Sequence, residues 1–372
     1  MLSLREKLNA AAPRKAEPEK ARAQDCLIKE FRVPLSSFAL GEELCAESLR
    51  LVQGGEMPGC RREDILFLDT ETTGLSHGAG TVAFLLGVGF FTDAGFTVRQ
   101  YLMRDYDEEI FLLQHAAEEI RNKKMLCTFN GATFDLPLLE ARFILHRMRS
   151  ALPARPHLDL LPASRRVWKL RLKKCNLTSL EAAVLGAERV DDLPGALVPE
   201  RYFRFLESGD FSVLEDVLEH NGQDIVSLAH ILDRLIRLHD SPLEEAREAE
   251  DLYSLGRIYE KRGKTEGARM CYRAADRGTV SALARGKMAE SYRRAGQWDE
   301  AEGVYLQMIR DRQGGVYPLV ALAKIREHKK RDIPAAIEYT QQAIRQAADR
   351  DDGEMQALQK RFARLMNKAR RK

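Results

Sequence analysis

Short apolar segments bounded by turn residues mark the first folded part of the chain. Residues 65–68 read Ile-Leu-Phe-Leu, an unbroken apolar run that predicts a buried central strand. Residues 81–91 and 96–103 predict two further strands, and the intervening Thr-Asp-Ala-Gly sequence suits a hairpin turn. The pattern therefore predicts three strands connected in hairpin order.

Helical periodicity begins after the third predicted strand. Residues 107–121 place acidic side chains in the first turn and Arg121 in the last, as the helix dipole favours. Another short strand is predicted at 125–129. A helix is predicted at 133–149, where Pro137 is tolerated because it lies in the first turn. This succession predicts a mixed α/β domain.

The N-terminal sixth of the chain gives weaker signals. Residues 1–24 are rich in Ala, Lys, Glu and Arg and contain two prolines, which predicts a flexible arm. Residues 25–60 contain several glycines and prolines and predict an extended lead-in to the core.

An internal repeat predicts a helical domain at the C-terminal end. From about residue 244 the strand signals vanish, and residues 252–275 align with 285–308 at a spacing of 33 residues. The first unit resembles a tetratricopeptide repeat, and a weaker third unit covers about 319–345 with altered spacing. A plain helical bundle is the alternative. The matched pairs are Tyr259 with Tyr292, Gly263 with Gly296, Ala268 with Ala301, and Tyr272 with Tyr305.

Composition limits the class of protein. The chain is 44% apolar and 31% charged, an ordinary globular balance, and it has no apolar run long enough to cross a bilayer. The N-terminus lacks the apolar core of a signal peptide. None of the six cysteines forms a CxxC pair, which suggests reduced thiols. These features predict a cytoplasmic protein without a membrane partner. The net charge of +3 does not by itself indicate nucleic acid.

Two carboxylates follow the first predicted strand. One residue separates Asp69 from Glu71, so on a strand both side chains point to the same face. Carboxylates held together repel each other unless a cation lies between them, and oxygen ligands favour Mg²⁺ or Mn²⁺. Gly74 then allows the chain to turn away.

Two further polar motifs lie downstream. Asn130 and Asp135 flank the passage from a predicted strand to a predicted helix. His220 and Asp224 are four residues apart in the apolar-periodic segment 213–238, so on a helix they share one face. The structural alternatives are a carboxylate at a helix N-terminus for Asp135 and a solvated helix residue for His220.

In this order, the three motifs resemble those of the DnaQ-like (DEDD) superfamily of 3′→5′ exonucleases. The Leu-Asp-Leu-Leu sequence at 158–161 and the tetratricopeptide-like end extend the similarity to bacterial YprB-like proteins over nearly the whole chain. The superfamily's D-x-E, N-x₃-F-D and final aspartate correspond to Asp69 and Glu71, to Asn130, Phe134 and Asp135, and to Asp224.

The resemblance implies a fold and a chemistry. It implies a ribonuclease-H-like mixed sheet with flanking helices at 61–240, followed by an all-α tetratricopeptide-like domain at 248–372. It also implies phosphodiester hydrolysis with two Mg²⁺ or Mn²⁺ ions. The implied substrate is a single strand or a 3′ end of nucleic acid. The implied metal ligands are Asp69, Glu71, Asp135 and Asp224. The implied substrate contacts are Thr72, Gly74, Leu75, Asn130 and Phe134.

The third motif departs from the family pattern. In the superfamily, four residues stand between a histidine and the final aspartate, or three between a tyrosine and that aspartate. Here three residues separate His220 from Asp224, so a histidine occupies the position of the tyrosine. This departure does not affect the implied metal ligands, but it leaves the identity of the group that orients water undecided. His220 is a candidate general base.

Two stretches are strongly basic. Residues 164–174 contain six basic side chains, no acid and Trp168, which suits phosphate neutralisation and base stacking on a single strand. Arg166, Lys169 and Lys173 are the candidate contacts. The alternative is an amphipathic helix whose apolar residues, including Trp168, belong to the core. Residues 360–372 carry seven basic residues and no acid, and are interpreted as a solvated tail.

Three functions are compatible with these features. The favoured hypothesis is a metal-dependent 3′→5′ exonuclease. A structure-specific endonuclease would use the same carboxylates. A non-catalytic protein could bind nucleic acid and hold a protein partner on the helical repeats, although the complete carboxylate set favours an enzyme. No motif distinguishes DNA from RNA.

Overall fold

The computed structural model describes residues 25–74, 80–189, 193–347 and 352–370. The chain forms two compact units that are not continuous in sequence. The first unit contains the residues up to Glu42 together with Cys60–Asp159 and Glu188–Ala229. The second unit contains Glu43–Gly59, Leu160–Ala187 and His230–Lys372. The predicted limits at 61–240 and 248–372 remain a prediction about independent folding, and the predicted arm at 1–24 lies outside the described residues.

The first unit is built on a mixed six-stranded sheet, as predicted. The strands among the described residues are β1 Leu27–Val33, β2 Glu43–Leu44, β3 Cys60–Arg61, β4 Ile65–Thr72, β5 Ala83–Thr92, β6 Gly95–Leu102, β7 Met125–Thr128 and β8 His157–Asp159. The strand order of the six-stranded sheet is β1-β6-β5-β4-β7-β8; β1, β6, β5 and β4 pair antiparallel, whereas β4, β7 and β8 run parallel.

Helices cover the sheet and make up most of the second unit. Short 3₁₀ turns occur between them, and α5 continues into one π-helical turn at Glu181–Leu185. The helices up to residue 245 are α1 Ala46–Gln53, α2 Glu109–Asn122, α3 Asp135–Leu145, α4 Leu160–Trp168, α5 Leu177–Leu180, α6 Val198–Ser208, α7 Glu215–Asp240 and α8 Pro242–Glu245. The later helices are α9 Ala249–Lys261, α10 Thr265–Ala274, α11 Ser281–Arg294, α12 Trp298–Arg310, α13 Tyr317–His328, α14 Ile333–Gln346 and α15 Asp352–Arg370.

The predicted central strand lies at the centre of the sheet. The apolar residues 65–68 of β4 are all completely buried between β5 and β7. β4 continues four residues beyond this apolar run, to Thr72, and these last residues are partly exposed. The predicted Asp69 and Glu71 therefore lie at the C-terminal end of this central strand, just beyond its buried segment.

The lead-in predicted at 25–60 contains regular structure that the sequence did not reveal. β1 pairs with β6 from Leu27 opposite Leu102 to Val33 opposite Phe96, and α1 follows at Ala46–Gln53. Five of the seven residues of β1 are exposed, so this edge strand lacks the apolar alternation by which strands are predicted. Backbone pairing with β6, and not burial of alternate apolar side chains, therefore defines β1 as a strand.

The C-terminal helices pack as successive pairs, as predicted from the internal repeat. α9 packs on α10, α11 on α12 and α13 on α14. Gly263 and Gly296 end the first helix of their pairs with the same positive φ of 74°, a conformation that glycine adopts without strain. Tyr272 and Tyr305 are completely buried at equivalent positions. These matched positions agree with a repeat, and its tetratricopeptide identity stays a prediction. None of the described helices is both long and apolar enough to span a membrane.

The basic C-terminal segment is not the solvated tail that the sequence suggested. It forms α15, in which Leu358 and Leu365 are buried. Basic side chains of α15 surround the Glu327 carboxylate at the end of α13, whose side chain is completely buried: Arg361 at 3.1 Å, Arg364 at 2.7 Å and Lys368 at 3.4 Å. The hydrogen bonds from Arg364 are the main reason why the pKa of Glu327 is lowered to about 2.

Glu327→Gln should therefore destabilise the helical unit. Removing the buried carboxylate leaves its cationic neighbours without a counter-charge, so we expect a loss of about 2–4 kcal/mol in the free energy of unfolding at neutral pH. Because the folded-state pKa is lowered, this stabilisation is complete above the ordinary glutamate pKa, about 4.3, and disappears as the pH falls toward 2. Urea unfolding of both proteins across this range measures the effect. The exposed Glu338→Gln is the matched control, and equal stability of all three proteins would contradict the prediction.

Candidate active site

The end of β4 carries the first predicted motif. Asp69 lies opposite Gly87 of β5 and Glu71 lies opposite Leu85, and a bulge follows between Glu71 and Thr72. Two residues apart on one strand, the two carboxyl groups lie on the same face of the sheet, as the sequence predicted.

Helix α7 reaches Asp69 through a buried amide. The Asn221 side chain is completely buried, and its Nδ2 donates to Asp69 Oδ2 at 2.9 Å. The Gln100 amide of β6 donates to Asn221 Oδ1 at 3.0 Å and to the Leu218 carbonyl at 2.7 Å. Gly87 leaves space for this contact, because an added Cβ would lie 2.2 Å from Asn221 Oδ1. This hydrogen-bonded chain fixes the orientation of Asp69.

Asp135 joins the site from the start of α3. Its carboxylate is buried and accepts from the backbone N–H of Thr70 at 3.0 Å and from the Thr70 hydroxyl at 2.6 Å. Thr70 is the residue between Asp69 and Glu71, so the first and second motifs are bonded directly to each other. The second motif thus reaches the end of β4, as the resemblance implied.

The assembled carboxyl groups repel one another. Burial raises the pKa of Asp69 well above its ordinary value, and the charges of Asp224, Asp135 and Glu71 raise it further. Burial also raises the pKa of Asp135, to about 6, although its hydrogen bonds from Thr70 act in the opposite direction. Buried carboxyl groups with raised pKa values are common at functional sites.

Arg189 pairs with the third motif. Its guanidinium forms an ion pair with Asp224 Oδ1, and its Nη1 lies 3.3 Å from His220 Nδ1. His220 Nε2 lies 3.8 Å from Asp224 Oδ2, one helical turn away on α7. An arginine can only donate, so Nδ1 accepts and a neutral imidazole carries its proton on Nε2. Arg189 could not be predicted as a site residue, because it lies in a segment with no recognisable motif.

The turn of the second motif depends on Asp159, the last residue of β8. Asn130 has a left-handed φ of 67°, and its backbone N–H donates to Asp159 Oδ1 at 2.8 Å. The Ala132 N–H donates to the other carboxylate oxygen at 3.2 Å. Asp159 therefore orders the turn that leads into α3. The Asn130 side chain accepts from the Thr133 hydroxyl at 2.9 Å within the same turn.

A small cavity of about 240 Å³ opens beside the carboxylates. Three predicted substrate contacts line it: Thr72, Gly74 and Phe134, whose ring is 48% exposed. Leu75 lies outside the described residues. The remaining lining residues are Asp69, Thr70, Glu71, Thr81, Phe129, Asp135 and Leu138.

The predicted basic contacts belong to the second unit. Arg166 and Lys169 line a groove there, whereas Lys173 is not among its lining residues and accepts a hydrogen bond from Lys169 at its carbonyl. Trp168 is 1% exposed, so it is a core residue of α4 and does not present a face for base stacking. The amphipathic-helix alternative is therefore correct for Trp168.

The carboxylates offer a chemically suitable place for divalent cations. Their donors are all oxygen atoms, which Mg²⁺ and Mn²⁺ prefer, and their mutual repulsion is the feature that a bound cation relieves. Asp69, Glu71, Asp135 and Asp224 are the residues that would hold such ions.

Comparison with known proteins identifies the family of this chain. The RNase H superfamily profile matches residues 66–236. The uncharacterized protein YprB of Bacillus subtilis (strain 168) is 30% identical over 356 residues, which cover 92% of this chain and 86% of YprB. The chain belongs to the YprB family. The matched profile indicates an RNase H-like domain over residues 66–236, and the YprB relative agrees with the YprB-like resemblance seen in the sequence.

A solved structure is also similar to part of this YprB-family chain. It is the family B DNA polymerase from the hyperthermophilic archaeon Pyrobaculum calidifontis, with a TM-score of 0.38 and 15% sequence identity. The match covers 56% of this chain and 30% of the polymerase chain, so this chain spans less than a third of the polymerase.

Several residues that position the site in this YprB-family chain were not predicted from the sequence. Asn221 stands between His220 and Asp224 in the third motif, and the apolar Leu218 and Ile225 at helical spacing could have indicated that it is buried. Thr70 stands within the first motif. Gln100 and Arg189 gave no local signal, because their roles depend on contacts across the sheet or with α7.

Asp69→Asn should stabilise the protein in EDTA at neutral pH. Because the folded-state pKa of Asp69 is raised, its favourable contribution exists below the ordinary carboxyl pKa and is lost as the pH rises through the folded value. We expect the variant to exceed wild type by about 1 kcal/mol or more near pH 7.5, with a smaller difference near pH 4.

Thermal unfolding in EDTA measures this difference in stability, and thermal unfolding with added Mn²⁺ measures the response to the metal. Mn²⁺ should raise the melting temperature of wild type, and of the exposed-carboxyl control Asp93→Asn, more than that of Asp69→Asn. Equal responses of the three proteins to Mn²⁺ would remove Asp69 from the set of metal ligands.

Proposed function

We propose that this chain is a metal-dependent 3′→5′ exonuclease that hydrolyses phosphodiester bonds in nucleic acid. The observation that carries the proposal is that three separate motifs meet at the end of β4, where Asn221 bonds to Asp69 and Asp135 bonds to Thr70. Membership of the RNase H superfamily supports a nuclease. The resemblance of the motifs to DnaQ-like enzymes supports the polarity of the reaction.

Some residues of the site would bind cations, and others orient the residues that bind them. Divalent cations held by the carboxylates would activate water and offset charge on the phosphate. Asn221 holds one oxygen of Asp69, and Thr70 holds one oxygen of Asp135, so the remaining oxygens face a defined direction. These contacts preorganise the ligands before substrate binds.

The cavity suits the end of a strand. It is small, and Phe129, Phe134 and Leu138 give it an apolar wall beside the carboxylates. The exposed ring of Phe134 can contact the face of a terminal base, an interaction that depends little on sequence. A terminal nucleotide fits these features better than an internal duplex segment, which favours an exonuclease over an endonuclease.

His220 can act as a base only after its contacts change. Its Nδ1 faces Arg189, so the proton of the neutral ring lies on Nε2, toward Asp224. To accept a proton at Nε2, the imidazole must carry its proton on Nδ1, and Arg189 must leave that atom. Arg189 therefore controls the tautomer of the proposed base.

Digestion of end-labelled single-stranded DNA and RNA tests the activity. With Mg²⁺ or Mn²⁺, we expect wild type and the control Asp93→Asn to release mononucleotides from the 3′ end. Asp69→Asn should be inactive because it lacks a proposed metal ligand. Activity of wild type in excess EDTA, or of Asp69→Asn at the wild-type rate, would refute the metal-dependent mechanism. Internal oligonucleotide products would instead identify an endonuclease.

His220→Ala should lower turnover by roughly 10²-fold or more, as the loss of a general base usually does. His220→Tyr should retain part of the activity, because the resembling family uses tyrosine at this spacing to orient water. The Mn²⁺ concentration that gives half-maximal activity should change little in either variant, since His220 is not a proposed ligand.

A turnover-versus-pH profile at saturating Mn²⁺ distinguishes these roles. Gln223→Ala is the matched control on the same helix, since Gln223 bonds only to exposed Glu219 among the described residues. If His220→Ala follows the wild-type profile throughout, another group orients the water.

A further inference from the structure

A basic groove lies within the second unit. It has a volume of about 770 Å³ and is lined by α4 with the residues after it, by α9 and by α11. Basic side chains from all three elements enter it. They are Arg165 and Lys169 near α4, Arg257 and Lys261 on α9, and Lys287 and Arg294 on α11. We call these residues and the space between them the basic groove.

The groove carries positive charge that the protein does not neutralise. Within the described residues, Arg165, Arg257 and Lys261 form no salt bridge, and Lys169 bonds only to the Lys173 carbonyl. All four are exposed. The acidic lining residue Glu260 is already paired with Arg294, and Lys287 is paired with Glu290 at 3.1 Å. The four exposed cations therefore remain available to an external anion.

The spacing of these cations suits a repeating anion. Arg165 and Lys169 are four residues apart, as are Arg257 and Lys261 on α9, which packs against α4. Side chains at this spacing are neighbours along a helix, about 5–6 Å apart at Cβ. Two packed helices therefore present two rows of positive charge. A polyanion with regularly spaced charges can contact both rows, whereas a single small anion would satisfy only one or two cations.

The other lining residues favour a nucleic acid over an acidic peptide. A helical peptide in a groove is usually anchored by several apolar side chains at helical spacing. Here the accessible apolar surface consists mainly of Leu170, which is 49% exposed, and the partly exposed Ile258. Isolated apolar side chains between cations can contact bases without selecting a sequence, while the cations bind phosphates.

We propose that the basic groove of the helical unit binds the phosphate backbone of single-stranded nucleic acid. This inference deepens the proposed function, on which it rests for the identity of the polyanion. It gives the paired helices a role in holding substrate and assigns Arg257 and Lys261, outside the basic stretch recognised in the sequence, to the same surface. Binding at this groove needs neither divalent cations nor the carboxylates of β4.

Arg166 is a poor choice for testing the groove. It is half-buried and donates to the Val52 carbonyl, and burial lowers its pKa. Its replacement would therefore disturb the packing of α4 as well as remove a charge. The four exposed cations can be changed without this effect.

The test measures binding by the full chain in EDTA, where metal-dependent hydrolysis cannot occur. The probe is a fluorescein-labelled oligothymidylate of about 20 nucleotides, followed by anisotropy between about 50 and 300 mM KCl. The groove variant combines Arg165→Gln, Lys169→Gln, Arg257→Gln and Lys261→Gln. The control variant combines Arg310→Gln, Lys324→Gln, Arg345→Gln and Lys360→Gln, which are exposed residues of the same unit outside the groove. Both variants lower the formal charge by four, and circular dichroism checks their folding.

We expect the groove variant to bind the probe about 10–100-fold more weakly than wild type at about 100 mM KCl, with a salt slope smaller by about 2–3. The control variant should stay within about threefold of wild type. Equal losses in the two variants would overturn the proposal, because general electrostatic attraction would then explain binding. Displacement of the probe by polyglutamate at equal charge concentration would also overturn it, in favour of an acidic protein partner. Wild-type binding in EDTA without nuclease activity in Mn²⁺ would refute the proposed function and leave the groove assignment intact.

Discussion

The crowding of like charges around Asp69 is the constraint on which the site depends. The carboxyl groups of Glu71, Asp135 and Asp224 all raise its pKa, in addition to the effect of burial. The fold holds two of these groups through neutral donors, since Asn221 bonds to Asp69 and Thr70 bonds to Asp135, whereas Asp224 pairs with Arg189. Such donors fix position without removing negative charge. The structure thus accepts a cost in stability at the end of β4, as functional sites commonly do.

Much of this site could be predicted because its residues lie in short local motifs. Asp69 and Glu71 are fixed on one face by strand alternation, and an apolar run before them identified the strand. The contacts that orient them could not be predicted in the same way. Gly87 and Gln100 are ordinary residues of two strands, and their importance arises from the close approach of α7 to the sheet. Such an approach is a tertiary property with no pattern in the sequence.

The fold was predictable where burial follows a regular period. The central strands and the repeated helix pairs have such a period, but β1 does not, because most of its residues are exposed. Charge patterns were the least reliable guide. The basic C-terminal segment looked solvated, yet Glu327 gives it a buried partner that lies more than 30 residues earlier in the chain. The compact units also combine segments that are distant in sequence. Leu160–Ala187 belongs to the same unit as the C-terminal helices, although its place in the sequence had suggested that it belongs with the sheet.

The ion pair between Arg189 and Asp224 links the binding of a cation to the binding of substrate. A cation at Asp224 and the guanidinium of Arg189 would compete for the same carboxylate, so part of the cation's binding free energy would be spent on separating the pair. A phosphate group that attracts Arg189 would lower this cost. Linkage is reciprocal, so the cation would strengthen phosphate binding by the same factor. Through this one arginine, substrate and cation would bind with positive cooperativity, and the free site would hold its cations weakly until an anionic strand arrived.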